Sequence, residues 1–142
     1  MIPAIDHSVF IKVPPEEVYE TLTTAKGWDA WFTKGTSLDL RIGGDIIFRW
    51  DHWGPDHITA EDHGRILEIV PNKKFVFLWN LQEGGTTVTL SLEPRGTGTV
   101  LRITDEGYTS EAYFMTCASG LDEALTLIKF YLESGQTYGD VP

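Results

Sequence analysis

Residues 110–135 read SEAYFMTCASGLDEALTLIKFYLESG, and this stretch decides the fold. Apolar side chains recur at spacings of three and four residues from about Ser110 to Ser134, which predicts one long amphipathic helix with a broad apolar face. Gly135 follows at the position where a left-handed residue commonly ends a helix. A helix with such a face needs a second apolar layer to cover it.

The middle of the chain supplies that layer. Apolar and polar residues alternate from Ser37 to Ile103, in runs separated by glycine-containing turns at 43–44, 84–85 and 96–98. Alternation with a period of two, broken by short turns, predicts an antiparallel meander with one buried face. The aromatic and aliphatic residues expected on that face are Ile46, Phe48, Trp50, Phe75, Phe77 and Trp79.

The first third of the chain predicts three short elements. Residues 5–13 alternate imperfectly and indicate an edge strand, and Pro14-Pro15-Glu16-Glu17 is typical of a helix start. That helix is expected to end near Thr23, and Thr24 can cap a second short helix. The sequence therefore predicts an α+β fold in one domain, residues 1–142. A curved antiparallel sheet of about six to seven strands wraps around the long C-terminal helix, and two short helices follow the first strand.

Composition limits the partners and the compartment. Eleven basic and twenty-one acidic side chains give a net charge of −10, which argues against nucleic acid and membrane surfaces as partners. The single cysteine, Cys117, excludes an internal disulfide and indicates a reducing compartment. The first residues lack the pattern of a secretion signal, and no apolar run approaches the roughly 18–20 residues of a membrane span. We therefore expect a cytoplasmic protein.

Several motifs, in this order along the chain, resemble the START-like helix-grip (SRPBCC) superfamily. Within it, they most resemble the branch related to the activator of heat-shock protein 90 ATPase, which is similar to polyketide cyclases. The motifs that carry the resemblance are Pro14-Pro15-Glu16-Glu17-Val18-Tyr19, Leu22-Thr23, Trp31-Phe32, Gly43-Gly44-Asp45, Gly64 to Pro71, Phe77-Leu78-Trp79, Val88 to Pro94 and Gly98 to Leu101.

The resemblance implies a helix-grip fold with a cavity between the sheet and the terminal helix. It does not imply one activity, because the superfamily includes lipid carriers, polyketide cyclases, resistance proteins and co-chaperone domains. The chain also departs from the family pattern in the terminal helix, where Gly120-Leu121 replaces the Gly-Trp that members often carry. The lining of the implied cavity is therefore expected to differ here.

The leading functional hypothesis is a cavity that binds a hydrophobic or aromatic small molecule without a cofactor. Large rigid aromatic groups suit the walls of such a site, and a few polar groups orient the ligand. The same rings can instead fill a closed core, and the sequence leaves the two possibilities open. The residues predicted to contact the ligand are Phe48, Trp50, His52, His57, Phe77, Trp79, Tyr113, Phe114, Cys117 and Leu121.

The segment from Asp51 to His57 is predicted to be a loop, with His52 or His57 as a polar group at the cavity mouth. Three histidines and three aspartates lie between Asp51 and His63, a composition that invites a metal hypothesis. Their spacing matches no established metal motif, and loop His and Asp side chains are mostly solvated. We therefore predict no metal site.

Two further functions remain open from sequence. One is an enzyme, similar to a polyketide cyclase or hydrolase, that uses the same cavity and needs a buried titratable group inside it. The other is a module that binds a chaperone or a second copy of the chain. The chaperone hypothesis predicts a closed interior and an exposed apolar patch around Trp28, Trp31 and Trp53.

Overall fold

The computed structural model describes residues 2–53 and 55–136 and confirms the predicted α+β helix-grip fold. A 3₁₀ turn, Leu81–Glu83, follows the fifth strand. The main elements in chain order are β1 Ile5–Ile11, α1 Pro15–Thr23, α2 Ala25–Trp31, β2 Ser37–Leu38, β3 Asp45–Trp53, β4 Ile58–Val70, β5 Lys74–Trp79, β6 Thr86–Arg95, β7 Gly98–Glu106 and α3 Glu111–Ser134. All seven strands pair antiparallel in one sheet, in the order β1-β7-β6-β5-β4-β3-β2.

Local capping fixes the ends of the helices. The side chain of Thr24 accepts a hydrogen bond from the Gly27 backbone N–H at 2.9 Å and so starts α2, as predicted. Ser110 caps α3 in the same way through the N–H of Tyr113 at 3.3 Å. Gly135, with φ +77°, ends α3 in the left-handed conformation that glycine adopts without strain. None of the helices in the described ranges is long and apolar enough to cross a bilayer.

Two irregularities accompany the bending of the sheet over α3. The pairing of β3 with β4 shifts register between Trp50 and Trp53, and that of β4 with β5 shifts between Ile66 and Glu68. Such bulges bend a strand and increase its local twist. The predicted loop from Asp51 to His57 was too long, because β3 continues through this bulge to Trp53 and the connection to β4 is shorter.

An aromatic core fills most of the concave face. The ring centroid of Phe48 lies 4.9 Å from that of Trp28 on α2 and 5.7 Å from that of Phe77 on β5. Leu125 and Ile128 of α3 are buried over the same region. The space left among these side chains is about 30 Å³, enough for a water molecule or two but not for an organic ligand. In this region between the sheet and α3, the aromatic rings fill a closed core and leave no ligand cavity.

Candidate functional site

An open cleft lies next to the filled core, between the first half of α3 and the ends of β3, β4 and β5. Its volume is about 340 Å³, more than ten times the space left in the core. The residues that line it are Phe32, Trp50, Ala60, Glu61, Asp62, Trp79, Asn80, Gln82, Tyr113, Thr116, Cys117, Gly120 and Leu121. The sheet and α3 thus pack closely along the second half of the helix and are separated by the cleft along its first half.

Side-chain size along α3 accounts for this difference. One helical stripe runs through positions 113, 116, 117, 120 and 121 and continues through 124, 125 and 128. Its second half carries Leu121, Leu125 and Ile128, which reach the sheet and close the core. The first half of the stripe carries Cys117 and Gly120, whose side chains are too small to reach the sheet. The space between the sheet and this half of α3 therefore stays open.

Asp62 is the buried acid of the cleft. It lies on the inward face of β4 in phase with Gly64 and Ile66, and only 6% of its surface is exposed. Burial raises the pKa of its carboxyl from 3.8 to about 6, although hydrogen bonds from the Asn80 backbone and the Gln82 side chain act to lower it. A carboxyl that titrates near neutral pH inside a cleft is a recognised mark of a functional site.

Asn80 holds this carboxyl in place. It adopts φ +54°, a left-handed conformation that asparagine tolerates, and this turn directs its backbone N–H to Asp62 Oδ1 at 2.9 Å. In the orientation of the amide that satisfies its neighbours, the side-chain nitrogen lies 3.0 and 2.9 Å from Oδ1 and Oδ2 of Asp62. The amide oxygen then accepts from the Tyr113 hydroxyl of α3 at 2.8 Å. The network therefore joins sheet and helix across the cleft.

A second buried carboxyl, Asp105 on β7, extends the network. Trp79 Nε1 donates to Thr86 Oγ1 at 2.9 Å and to Asp105 Oδ2 at 3.2 Å, and the Tyr108 hydroxyl donates to the same carboxylate oxygen. Burial raises the pKa of Asp105, and burial together with the nearby carboxylate raises that of Tyr108. Asp105 does not line the cleft, so we assign it the role of orienting the Trp79 ring, which does.

The ten residues predicted to contact a ligand separate into three groups. Five of them line the cleft: Trp50, Trp79, Tyr113, Cys117 and Leu121. Phe48 and Phe77 lie behind it in the filled core, and Phe114 packs edge-on against Tyr108 at 5.6 Å between ring centroids. The structure thus brings half of the predicted set together around one open volume.

The two histidines, His52 and His57, lie elsewhere. Both are exposed near the β3–β4 connection with φ of 50°, and neither lines the cleft. His52 Nδ1 contacts Asp51 Oδ1 at 2.7 Å. Their place at a cavity mouth therefore stays a prediction, which the lining of this cleft does not support. Within residues 2–53 and 55–136, no cluster of His, Cys, Asp and Glu is arranged to hold a metal ion.

The exposed tryptophan patch expected of a chaperone-binding module is absent at the predicted place. Trp28, Trp31 and Trp53 are 6%, 3% and 9% exposed. Trp28 and Trp31 pack against each other at 5.2 Å between ring centroids, and Phe32 packs against Trp53 at 5.6 Å. These rings belong to the core and its margin, so they offer no apolar surface to a partner protein.

Sequence reasoning missed the polar residues of the cleft, above all Asp62, Asn80 and Gln82. A signal for Asp62 was present, because it shares the period-two phase of the buried Ile66 in the same strand. An acid in the inward phase of a buried strand is unusual enough to mark a site. Asn80 follows the last inward residue of β5 and gave no comparable signal.

Comparison with known proteins agrees with the fold. The model of the family "Activator of Hsp90 ATPase homolog 1-like protein" matches residues 12–133. The solution structure of the Aha1 dimer from Colwellia psychrerythraea is 26% identical, with a TM-score of 0.80, over 95% of this chain and 99% of that one.

Two further solved structures show the same fold at lower identity. CalU16 from Micromonospora echinospora is 24% identical, with a TM-score of 0.75, over 93% of this chain and 77% of that one. DynU16, a protein in the dynemicin biosynthetic locus, is 16% identical, with a TM-score of 0.79, over 96% of this chain and 49% of that one. Among curated proteins, none matches the sequence significantly.

Proposed function

Because this chain belongs to the family of activator of Hsp90 ATPase homolog 1-like proteins, a family of helix-grip folds, we propose that it binds a hydrophobic or aromatic small molecule between the curved sheet and α3. The observation that carries the proposal is the open cleft of about 340 Å³ beside a filled core. Sites for small molecules commonly enclose about 300–1,000 Å³ with apolar walls and a few convergent polar groups.

The proposed ligand contacts are the aromatic and small side chains of the cleft. Trp50 and Trp79 supply flat apolar walls from the sheet, while Cys117 and Leu121 supply the wall from α3. Phe48 supports both tryptophans from the core, with ring centroids 6.4 Å from each of theirs. Rigid walls of this kind favour a flat ligand, because ordering them on binding costs little conformational entropy.

A neutral fluorescent probe, N-phenyl-1-naphthylamine, tests the proposal. We expect its emission to rise on titration with the wild-type chain and the binding to weaken at least about tenfold in Gly120→Phe. Gly120 lines the cleft, and an added Cβ there meets no atom within 4 Å, so the phenyl group can enter the open volume. Phenylalanine has a higher helix propensity than glycine, so the variant is expected to remain folded.

The matched control is Ser119→Phe, which places the same side chain one residue away at an exposed position outside the cleft lining. It is expected to bind the probe like the wild type. Equal binding by the Gly120→Phe chain, or no binding by the wild type, would rule the cleft out as the binding site.

A second candidate function, an enzyme that moves protons on a carbonyl compound, is favoured by Asp62. Its carboxylate lines the cleft, and its raised pKa suits proton transfer near neutral pH. In such a step the C–H bond next to a ketone breaks, the proton passes to the carboxylate and the electron pair moves to the ketone oxygen. The enolate then takes a proton from solvent through the same carboxyl.

Deuterium exchange into 2-tetralone in D₂O, followed by NMR, checks this candidate. The wild-type chain is expected to accelerate exchange next to the ketone at least about tenfold over the same buffer, and Asp62→Asn to abolish the acceleration. An exchange rate equal to that of buffer, or one unchanged in the variant, counts against catalysis by Asp62.

Partner and compartment belong to the proposal as well. The relative from Colwellia psychrerythraea is a dimer, which supports self-association of this chain. The family description supports a chaperone as the alternative partner. A single, half-buried cysteine fits the reducing conditions of the cytoplasm, which we propose as its location.

A further inference from the structure

Asp62 is a buried carboxylate that forms no ion pair with any described residue, although the charge of the adjacent His63 acts to lower its pKa. No lysine, arginine or histidine of the described residues forms an ion pair with it, although it is only 6% exposed. Its hydrogen-bond donors are neutral amide groups: those of Asn80, the side chain of Gln82 and the backbone of His63. Buried charges in folded proteins are ordinarily paired or bound to a ligand, since an unpaired one loses its hydration.

The charged side chains next to Asp62 are already paired with one another. Glu61 on β4 pairs with Arg49 of β3 at 3.1 Å and with His63 at 2.6 Å, and all three side chains are at least one-third exposed. The titratable groups that α3 contributes to the cleft are Tyr113 and Cys117, which carry no positive charge. Among the described residues that line the cleft, Asp62 is therefore the acid that forms no ion pair.

The other side chains that line the cleft also favour a positively charged ligand. Of the described residues that line the cleft, two are acids and none is a lysine, arginine or histidine, within a chain of net charge −10. The rings of Phe32, Trp50 and Trp79 are among the cleft walls, and aromatic faces attract cations at contact distance. An acidic ligand would place its charge against Asp62 with no counter-ion, which disfavours it.

We propose that the cleft takes an aromatic molecule that carries a protonated amine, with the ammonium group on the Asp62 carboxylate and the ring system against Trp50 and Trp79. This inference rests on the proposed binding function and names the chemical class of its ligand. The ammonium donates to the carboxylate that Asn80 positions, and the ligand closes the open end of the core. The pairing supplies the positive charge that the chain itself does not provide.

Three probes with one ring system test the inference: 1-naphthylmethylamine, 1-naphthalenemethanol and 1-naphthoic acid, which are cationic, neutral and anionic at pH 7.5. Calorimetric titration of the wild-type chain in about 150 mM salt, which screens the overall charge, compares their affinities. We expect the amine to bind at least about tenfold more tightly than the alcohol, and the acid more weakly than both. This comparison requires no variant.

Asp62→Asn then identifies the group responsible. It is expected to bind the amine and the alcohol equally, whereas Asp45→Asn, which removes the same charge from an exposed position of β3 outside the cleft lining, retains the preference. An alcohol that binds as tightly as the amine, or a preference that survives in Asp62→Asn, overturns the inference and leaves the binding function intact. If none of the three probes binds, the proposed function fails and the inference fails with it.

Discussion

Replacing Phe48 by alanine is expected to lower the free energy of unfolding by about 3–5 kcal/mol. The side chain is 2% exposed and lies among Trp28, Phe77 and Trp79, with little free space around it. Its removal loses the apolar burial and leaves a cavity that rigid rings cannot collapse to fill. Urea denaturation at pH 7.5, with the midpoint and slope fitted together, measures the change.

Phe130→Ala is the matched control, since Phe130 lies on α3 with 46% of its surface exposed. We expect its unfolding free energy to change by no more than about 0.5 kcal/mol. If the Phe48→Ala chain does not fold, Phe48→Leu gives a smaller loss by the same mechanism. A loss below about 1 kcal/mol in Phe48→Ala would show that the interior is open there and that the core description is wrong.

The fold was predictable because its signals are local and repeated. The three- and four-residue spacing in residues 110–135 predicted α3, and Gly135 predicted its end. Alternation predicted the inward phase of β3 and β5, including Phe48 and Trp79. The extent of β3 was missed because a bulge interrupts its alternation after Trp50, and the irregular stretch resembles a loop in sequence.

The site was only half predictable. Periodicity places Phe48 and Trp50 on one face, but it does not show that the first is enclosed and the second borders an open cleft. That distinction depends on which turn of α3 lies opposite, and on Gly120 being too small to reach the sheet. His52 and His57 have suitable side-chain chemistry but do not line the cleft, whereas Asp62 shares the inward phase of β4 and does line it.

Replacing Asp62 by asparagine is expected to stabilise the chain near neutral pH. In the folded state, burial raises the pKa of this carboxyl from 3.8 to about 6, so the folded chain retains a proton that the unfolded chain has lost. Between about pH 4 and 6 the unfolded state therefore binds fewer protons, and the unfolding free energy falls as the pH rises. A shift of this size corresponds to about 3 kcal/mol, all of it lost above pH 6.

The Asp62→Asn side chain does not titrate, so its unfolding free energy does not fall in this pH range. It keeps the size of the aspartate side chain and one oxygen that accepts from the Asn80 donors. Urea denaturation from pH 3.5 to 8 is expected to show equal stability at the acid end and an advantage of about 1–3 kcal/mol for the variant at pH 8. Glu61→Gln is the control, because hydrogen bonds from His63 and Arg49 lower the pKa of Glu61 and its removal acts in the opposite direction. A variant that is less stable than the wild type at pH 8 would mean that the Asp62 carboxylate is a structural partner. Greater stability of Asp62→Asn than of the wild type at pH 8 would mean that the ionised Asp62 carboxylate destabilises the folded chain. A destabilising charge of this kind is typical of a residue retained for ligand binding.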